Sequence, residues 1–170
     1  MSVGAILWRL PVRLTHWGVA AAVLFDLFSE SGPVHRAVGY GAVVLVLLRL
    51  AYGASRPVGD PAALTWPGPG AIRAHLRELR HGHVTPAAGH NPLGQWAVYL
   101  MWALVLGLGV SGWMSRLDAF WGDDDVIAVH EALADGLLAC VGAHLLAVAI
   151  MSRLQGESLL RAMLTGRRRG

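Results

Sequence analysis

Apolar residues gather into four long runs, at residues 11–28, 34–53, 92–114 and 126–151, separated by polar or proline- and glycine-punctuated stretches. About 20 predominantly apolar residues in a helix cross the hydrocarbon core of a bilayer, so each run predicts a transmembrane helix. Pro11 suits a first helical position, and Asn91-Pro92 pairs a cap residue with a proline that needs no hydrogen-bonded N–H. Asp123, Asp124 and Asp125 precede the fourth run, where a helix N-terminus favours negative charge. The first run is the shortest, and Asp26 interrupts it near its end.

Residues 54–91 form the one sizeable connection. Pro57, Gly59, Pro61, Pro67, Gly68, Pro69 and Gly70 break its first half. The sequence AIRAHLRELR then places Ile72, Leu76 and Leu79 on one helical face with arginines elsewhere, which predicts a short helix lying on the membrane surface. No internal repeat is present, and residues 1–170 read as a single domain.

Composition agrees with lipid as the main solvent: 55% of residues are hydrophobic and only 15% are charged, less charge than a water-exposed surface carries. The first apolar run lacks a small-residue cleavage site, so it is expected to stay as a span. Cys140 is the single cysteine, which excludes an internal disulfide, covalent haem attachment through Cys-x-x-Cys-His and an iron–sulfur cluster held by this chain alone. The formal charge of +3 comes from arginine, with no lysine in the chain. Arg9 and Arg13 precede or open the first run, Arg56, Arg73, Arg77 and Arg80 lie in the connection, and Arg153, Arg161, Arg167, Arg168 and Arg169 follow the fourth. Alternating spans put all three groups on one side, and the positive-inside rule makes that side, with both termini, cytoplasmic. This charge distribution points to membrane lipid and away from nucleic acid.

Histidine inside a span is costly unless it faces a partner. His16 and His144 fall at the cytoplasmic level of the first and fourth runs, and His35 and His130 at the outer level of the second and fourth. The fourteen residues from His130 to His144 make about four turns, so both face the same way, roughly 21 Å apart. Two histidines on different helices at one depth can supply both axial nitrogens of a haem iron, and here the arrangement occurs twice. The alternative for each histidine taken singly is a hydrogen-bonded structural role. A bare zinc site fits less well, because each pair offers only two nitrogens.

Gly39, one turn after His35, and Gly107, Gly109, Gly112 and Gly142 could admit a porphyrin face or simply close helix packing. Arg13, Arg36 and Arg49 stand at span ends, where they could pair with haem propionates or snorkel to headgroups. Asp26 could handle protons or stand beside a propionate, but its place near the outer boundary makes partial solvation the expected role. His75, His81, His83 and His90 are expected to be solvated or interfacial, with His81-x-His83 the one loop spacing that could touch a metal. Most of the seven tryptophans fall near interfaces, as an aromatic belt does.

The segments RLTHW around His16, VHRAVGYGAVVLVLLRL around His35 and Arg49, HNPLGQW and SGW at the ends of the third run, DDDVIAVHEALADGLLACVGAHLLAVAI, and the tail SLLRAMLTGRRR occur in fixed order. Together they resemble the bacterial cytochrome b561 family, which is similar to the b-type cytochrome subunits of membrane-bound nickel–iron hydrogenases. The resemblance implies an all-α, integral membrane four-helix bundle with two non-covalent b-type haems between its helices. It implies His16 and His144 as ligands of the cytoplasmic-side haem, and His35 and His130 as ligands of the outer one. One departure is the short turn at residues 29–33, which is often longer in relatives.

The function this implies is a diheme cytochrome of the bacterial inner membrane. It would pass electrons between the quinone pool and an outer partner, either a c-type cytochrome or a small oxidant such as superoxide. Two alternatives stand beside it: a haem-bearing anchor subunit of a larger oxidoreductase such as a hydrogenase, and a haem-free scaffold or metal-binding protein.

Overall fold

The computed structural model describes residues 8–82 and 89–167, so His83, Arg168 and Arg169 lie outside the described residues. Among the described residues six α-helices run in order: α1 Leu10–Phe28, α2 Pro33–Ala54, α3 Pro69–Arg80, α4 Pro92–Met114, α5 Asp124–Gln155 and α6 Leu159–Thr165. A single 3₁₀ turn, Asp118–Phe120, joins α4 to α5, and no strand occurs among the described residues. Four of the helices begin with a proline in the first turn, where the missing N–H costs nothing. Side-chain caps start the others: Asp123 accepts from the N–H groups of Asp125 and Val126, and Ser158 from that of Arg161.

Three helices, α2, α4 and α5, are long and apolar enough to cross a membrane. At 1.5 Å per residue, α2 and α4 are about 33 and 35 Å long, and α5 is about 48 Å. The first helix, with Arg13 and Asp26 in it, does not belong to that group. It packs along α2, while α4 packs along α5, and α2 against α4 joins the two hairpins. Much of the apolar surface points outward: Phe28 is 86% exposed, and Leu48, Leu100, Val110, Leu145 and Leu146 are more than half exposed. A water-soluble monomer does not leave so extensive an apolar surface uncovered, whereas lipid requires one.

The bundle's centre is apolar and buried. Val46 is fully buried, and with Ala42, Val105 and Leu137 it forms a core flanked by Val19, Val23, Met101, Leu104 and Val141. Leu137 lies seven residues from both His130 and His144, so this apolar plug separates the two histidine levels. Glycine lets the helices approach here. A β-carbon on Gly109 would sit 2.5 Å from Val43 Cγ2, whereas one on Gly41 would meet nothing within 4 Å. Gly109→Val should therefore overpack the contact between α2 and α4 and cost about 1–3 kcal/mol. Gly41→Val should cost well under half as much. Thermal unfolding in detergent would show the difference, and equal losses would contradict this packing.

The N-terminal segment, the connection before α4 and the C-terminal tail converge at one end. Trp8, Val12, Ala62 and Ala162 form a second apolar cluster there, packed against Tyr52 and Met163. The Trp8 N–H donates to Gly166 O at 3.2 Å, and Arg9 bridges Asp60 at 3.1 Å. The connection is pinned to α4 as well. Tyr99 Oη donates to Thr65 O at 2.6 Å and Trp96 Nε1 to Pro67 O at 3.1 Å, while Trp66 packs on both rings. This is the arginine-rich end. The opposite end carries Asp118, Asp123, Asp124 and Asp125.

The expected short amphipathic helix is α3, and it packs against α4. Its buried residue is His75, 6% exposed, while Leu76 remains 45% exposed. Of the solvated or interfacial role expected for His75, this burial removes the solvated one. Docking on α4 turns inward a face centred on His75, which stands between Ile72 and Leu79 one turn either way, with Leu76 at the exposed edge.

Candidate functional site

The four span histidines meet in two pairs. The rings of His16 on α1 and His144 on α5 lie 6.4 Å apart between centroids, inclined at 51°. The rings of His35 on α2 and His130 on α5 lie 6.4 Å apart as well, inclined at 63°. These separations suit one metal atom between two imidazoles: a metal–nitrogen bond of about 2 Å, with roughly 1.1 Å more from nitrogen to ring centre, repeated on both sides, spans about 6 Å. Both pairs draw one member from α5, which fixes their spacing at fourteen residues along one helix.

The surroundings of the two pairs differ. At the aspartate-rich end, Ser111 Oγ stands 2.8 Å from His130 Nδ1, and Ser29 Oγ stands 3.1 Å from His35 Nδ1. Asp26 Oδ1 lies 3.6 Å from the same nitrogen of His35, on a side chain only 17% exposed. Asp26 thus keeps the partial solvation expected of it, but its carboxylate faces His35, where Gly39 leaves the room. A β-carbon on Gly39 would sit 3.2 Å from Asp26 Oδ2. Gly112 likewise borders the site, 3.4 Å from His130 Cε1 by the same measure. Gly107 and Gly109 instead admit Leu133 and Val43, and so serve helix packing. At the arginine-rich end, by contrast, His16 Nδ1 is buried without a hydrogen-bond partner.

The three arginines expected near the histidine levels have separate surroundings. Arg13 is engaged elsewhere: its Nε donates to Met163 O at 3.1 Å and a second guanidinium nitrogen donates to Leu164 O, closing the last carbonyls of α6. Arg36 is partly buried beside His35, and no ion pair holds it among the described residues. Arg49 is the most constrained. It is 7% exposed, its guanidinium lies over the Trp102 ring at 5.4 Å, and its Nη1 is buried without a hydrogen bond. A buried cation with an open donor suits an anionic group such as a carboxylate.

One residue of this region had no place in the site expected from the sequence. His90 is partly buried against Trp8, with ring centroids 4.7 Å apart. Burial, then Arg49, His144 and His16, push its imidazole down to about 4. Of the solvated or interfacial role expected for it, the structure leaves the interfacial one. The one available signal was its place one residue before the Asn91 cap, which ties it to the end of α4.

No group of three or more histidine, cysteine or acidic side chains able to hold a bare metal ion occurs among the described residues. The pairs therefore fit a cofactor that brings its own equatorial ligands, as a haem does, better than a free ion. Among known families, one described as prokaryotic cytochrome b561 matches residues 7–166. No curated protein and no solved structure matches the chain.

Proposed function

Since this chain belongs to the prokaryotic cytochrome b561 family, a family of b-type membrane cytochromes in electron transfer, we propose that it is a two-haem wire across the bacterial inner membrane. His16 and His144 hold one b haem, and His35 and His130 hold the other. The observation that carries the reading is the repeated 6.4 Å separation of the two histidine pairs. In this reading α1 is the fourth span, and the arginine-rich end faces the cytoplasm.

A bound haem supplies a one-electron iron couple. The chain supplies the rest. Its imidazoles orient each ring, Arg49 offers a buried cation for a propionate at the cytoplasmic level, and the Val46–Leu137 core keeps water from the space between the sites. Arg36 can serve a propionate at the outer level, where it stands beside His35. Arg13, held by α6, acts on the cytoplasmic site only by fixing α1 to the tail.

The cytoplasmic end is roofed by Trp8, Val12, Ala62 and Ala162, which leaves the membrane plane as the approach to the inner site. That favours quinone as the exchange partner there. At the outer end the exposed Asp118, Asp124 and Asp125 would repel superoxide and attract a cationic protein, so a c-type cytochrome suits the surface better.

The test is a dithionite-reduced minus oxidised spectrum with haem quantitation on the chain purified alone. About two low-spin b haems per chain are expected, with quinone reduced or oxidised unaided. Haem that is retained only beside a second protein would favour the anchor-subunit reading. A protein that stays colourless after haem reconstitution would overturn the haem assignment.

A further inference from the structure

The two histidine pairs match in spacing but differ in what stands behind each imidazole, and the difference has a direction. Ser111 Oγ lies 3.0 Å from Gly107 O and 3.2 Å from Leu108 O, one turn back on its own helix. A hydroxyl has one proton and two lone pairs. With the proton given to a helix carbonyl, a lone pair remains for His130 Nδ1 at 2.8 Å, and that nitrogen must carry the hydrogen. Ser29 repeats the arrangement. Its Oγ reaches Asp26 O at 3.4 Å and faces His35 Nδ1 at 3.1 Å. In both rings this leaves Nε2 with a free lone pair.

Asp26 adds charge. Its Oδ1 is buried without a hydrogen bond, 3.6 Å from His35 Nδ1. Arg36 follows His35 directly, about 100° around the helix, and no ion pair joins it to Asp26 among the described residues. Glu131, next to His130, adds a further acid at this level. At the other level no carboxylate is recorded against His16 among the described residues, and its Nδ1 has no partner. The buried charges at that end are the Arg49 guanidinium and the Asp60 carboxylate, which Arg9 pairs with at 3.1 Å. An acceptor behind a ligating imidazole raises its basicity, which stabilises the more positive state of the metal. A buried cation acts in the opposite sense.

We propose that Asp26, Ser29 and Ser111 are positioning residues that hold His35 and His130 with Nε2 forward, and that they make the site at the aspartate-rich end the lower-potential haem of the two. The proposal rests on the two-haem reading above. An electron shared between the sites then rests at the arginine-rich end.

The test is a potentiometric titration of the haem-loaded protein, followed by absorbance. A His16→Ala background isolates the outer couple, and a His35→Ala background isolates the inner one. The outer couple is expected to have the lower midpoint. Asp26→Asn should shift its reduced-to-oxidised ratio at fixed potential about tenfold towards reduced, equivalent to about 59 mV for a one-electron couple. Asp26→Glu should restore most of that shift. Ser111→Ala should move the outer couple the same way by less, with Ser111→Thr close to wild type. If Asp26→Asn does not retain the outer haem, Ser111→Ala and Asp26→Glu carry the reading.

An outer midpoint above the inner one, or equal shifts of both couples, would overturn the proposal. So would an unmoved outer couple in both Asp26→Asn and Ser111→Ala. Failure of the two-haem reading would look different: the alanine backgrounds would not each lose one haem.

Discussion

Replacing His144 with alanine is expected to leave one haem per chain where the two-haem reading gives the wild type two, and replacing His16 is expected to give the same residual spectrum. His35→Ala and His130→Ala each remove the other haem. The expectation follows from the pairing, since each iron would be held by rings on two different helices, 6.4 Å apart. Losing one ring of a pair should abolish the low-spin signature of that site and most of its occupancy. The effect should be non-additive within a pair and additive between pairs. His16→Ala with His144→Ala keeps one haem, whereas His130→Ala with His144→Ala, both on α5, keeps none. Alanine favours helix more than histidine does, so α5 itself is not weakened, and unchanged helicity by circular dichroism would separate ligand loss from unfolding. Two haems retained in His144→Ala would remove this histidine from the ligand set. A haem lost from the wrong level would break the pairing.

The helices and the histidine pairs were legible because both rest on local arithmetic. Proline and cap residues mark where helices start, so α4 begins and ends where the apolar run 92–114 does, and α2 extends the run 34–53 by one residue at each end. A fourteen-residue spacing on one helix sets depth and facing together, whatever the helix packs against. The first helix is different. Arg13 and Asp26 dilute its hydropathy, and its place comes from packing along α2. The tail was read only as a basic segment. Its short α6 exists because Ser158 caps its start and Gly156 and Gly166, at φ 65° and 78°, turn the chain on either side. These signals are present in the sequence but are too short for hydropathy to register.

What the sequence did not yield is the environment of particular polar groups. Arg13 and Arg49 both stand near the same span ends, and no spacing rule says that one meets the carbonyls of α6 while the other lies over Trp102. Asp26 read as a boundary acid because its depth was visible and its direction was not. Its inward turn depends on a missing side chain at Gly39, on another helix. For His75 and His90 the choice between a solvated and an interfacial role was left open for the same reason. Periodicity puts His75 on the face of Ile72 and Leu79 but does not say that α3 docks on α4, and His90 is covered by Trp8, from a segment far away in sequence.

His90 supplies the second large expected effect, in the stability of the folded protein against pH. Its imidazole is pushed from the ordinary 6.5 down to about 4, chiefly by burial and then by Arg49, His144 and His16. Between these values the unfolded chain binds a proton at this site and the folded chain does not. Stability therefore rises with pH across that window. The contribution is intact above about pH 6.5, is lost progressively as pH falls, and is fully lost near pH 4. A gap of this size is worth at most about 3 kcal/mol. His90→Gln keeps a polar side chain of similar reach and cannot take the proton. The variant should thus lose much less stability than the wild type between pH 7.5 and pH 4.5, with unfolding midpoints in detergent as the measurement. Other histidines titrate in both proteins, so the informative quantity is the difference between the two slopes. Parallel slopes would mean that His90 is open to water in the folded state, and that the roof formed with Trp8 at this end does not seal.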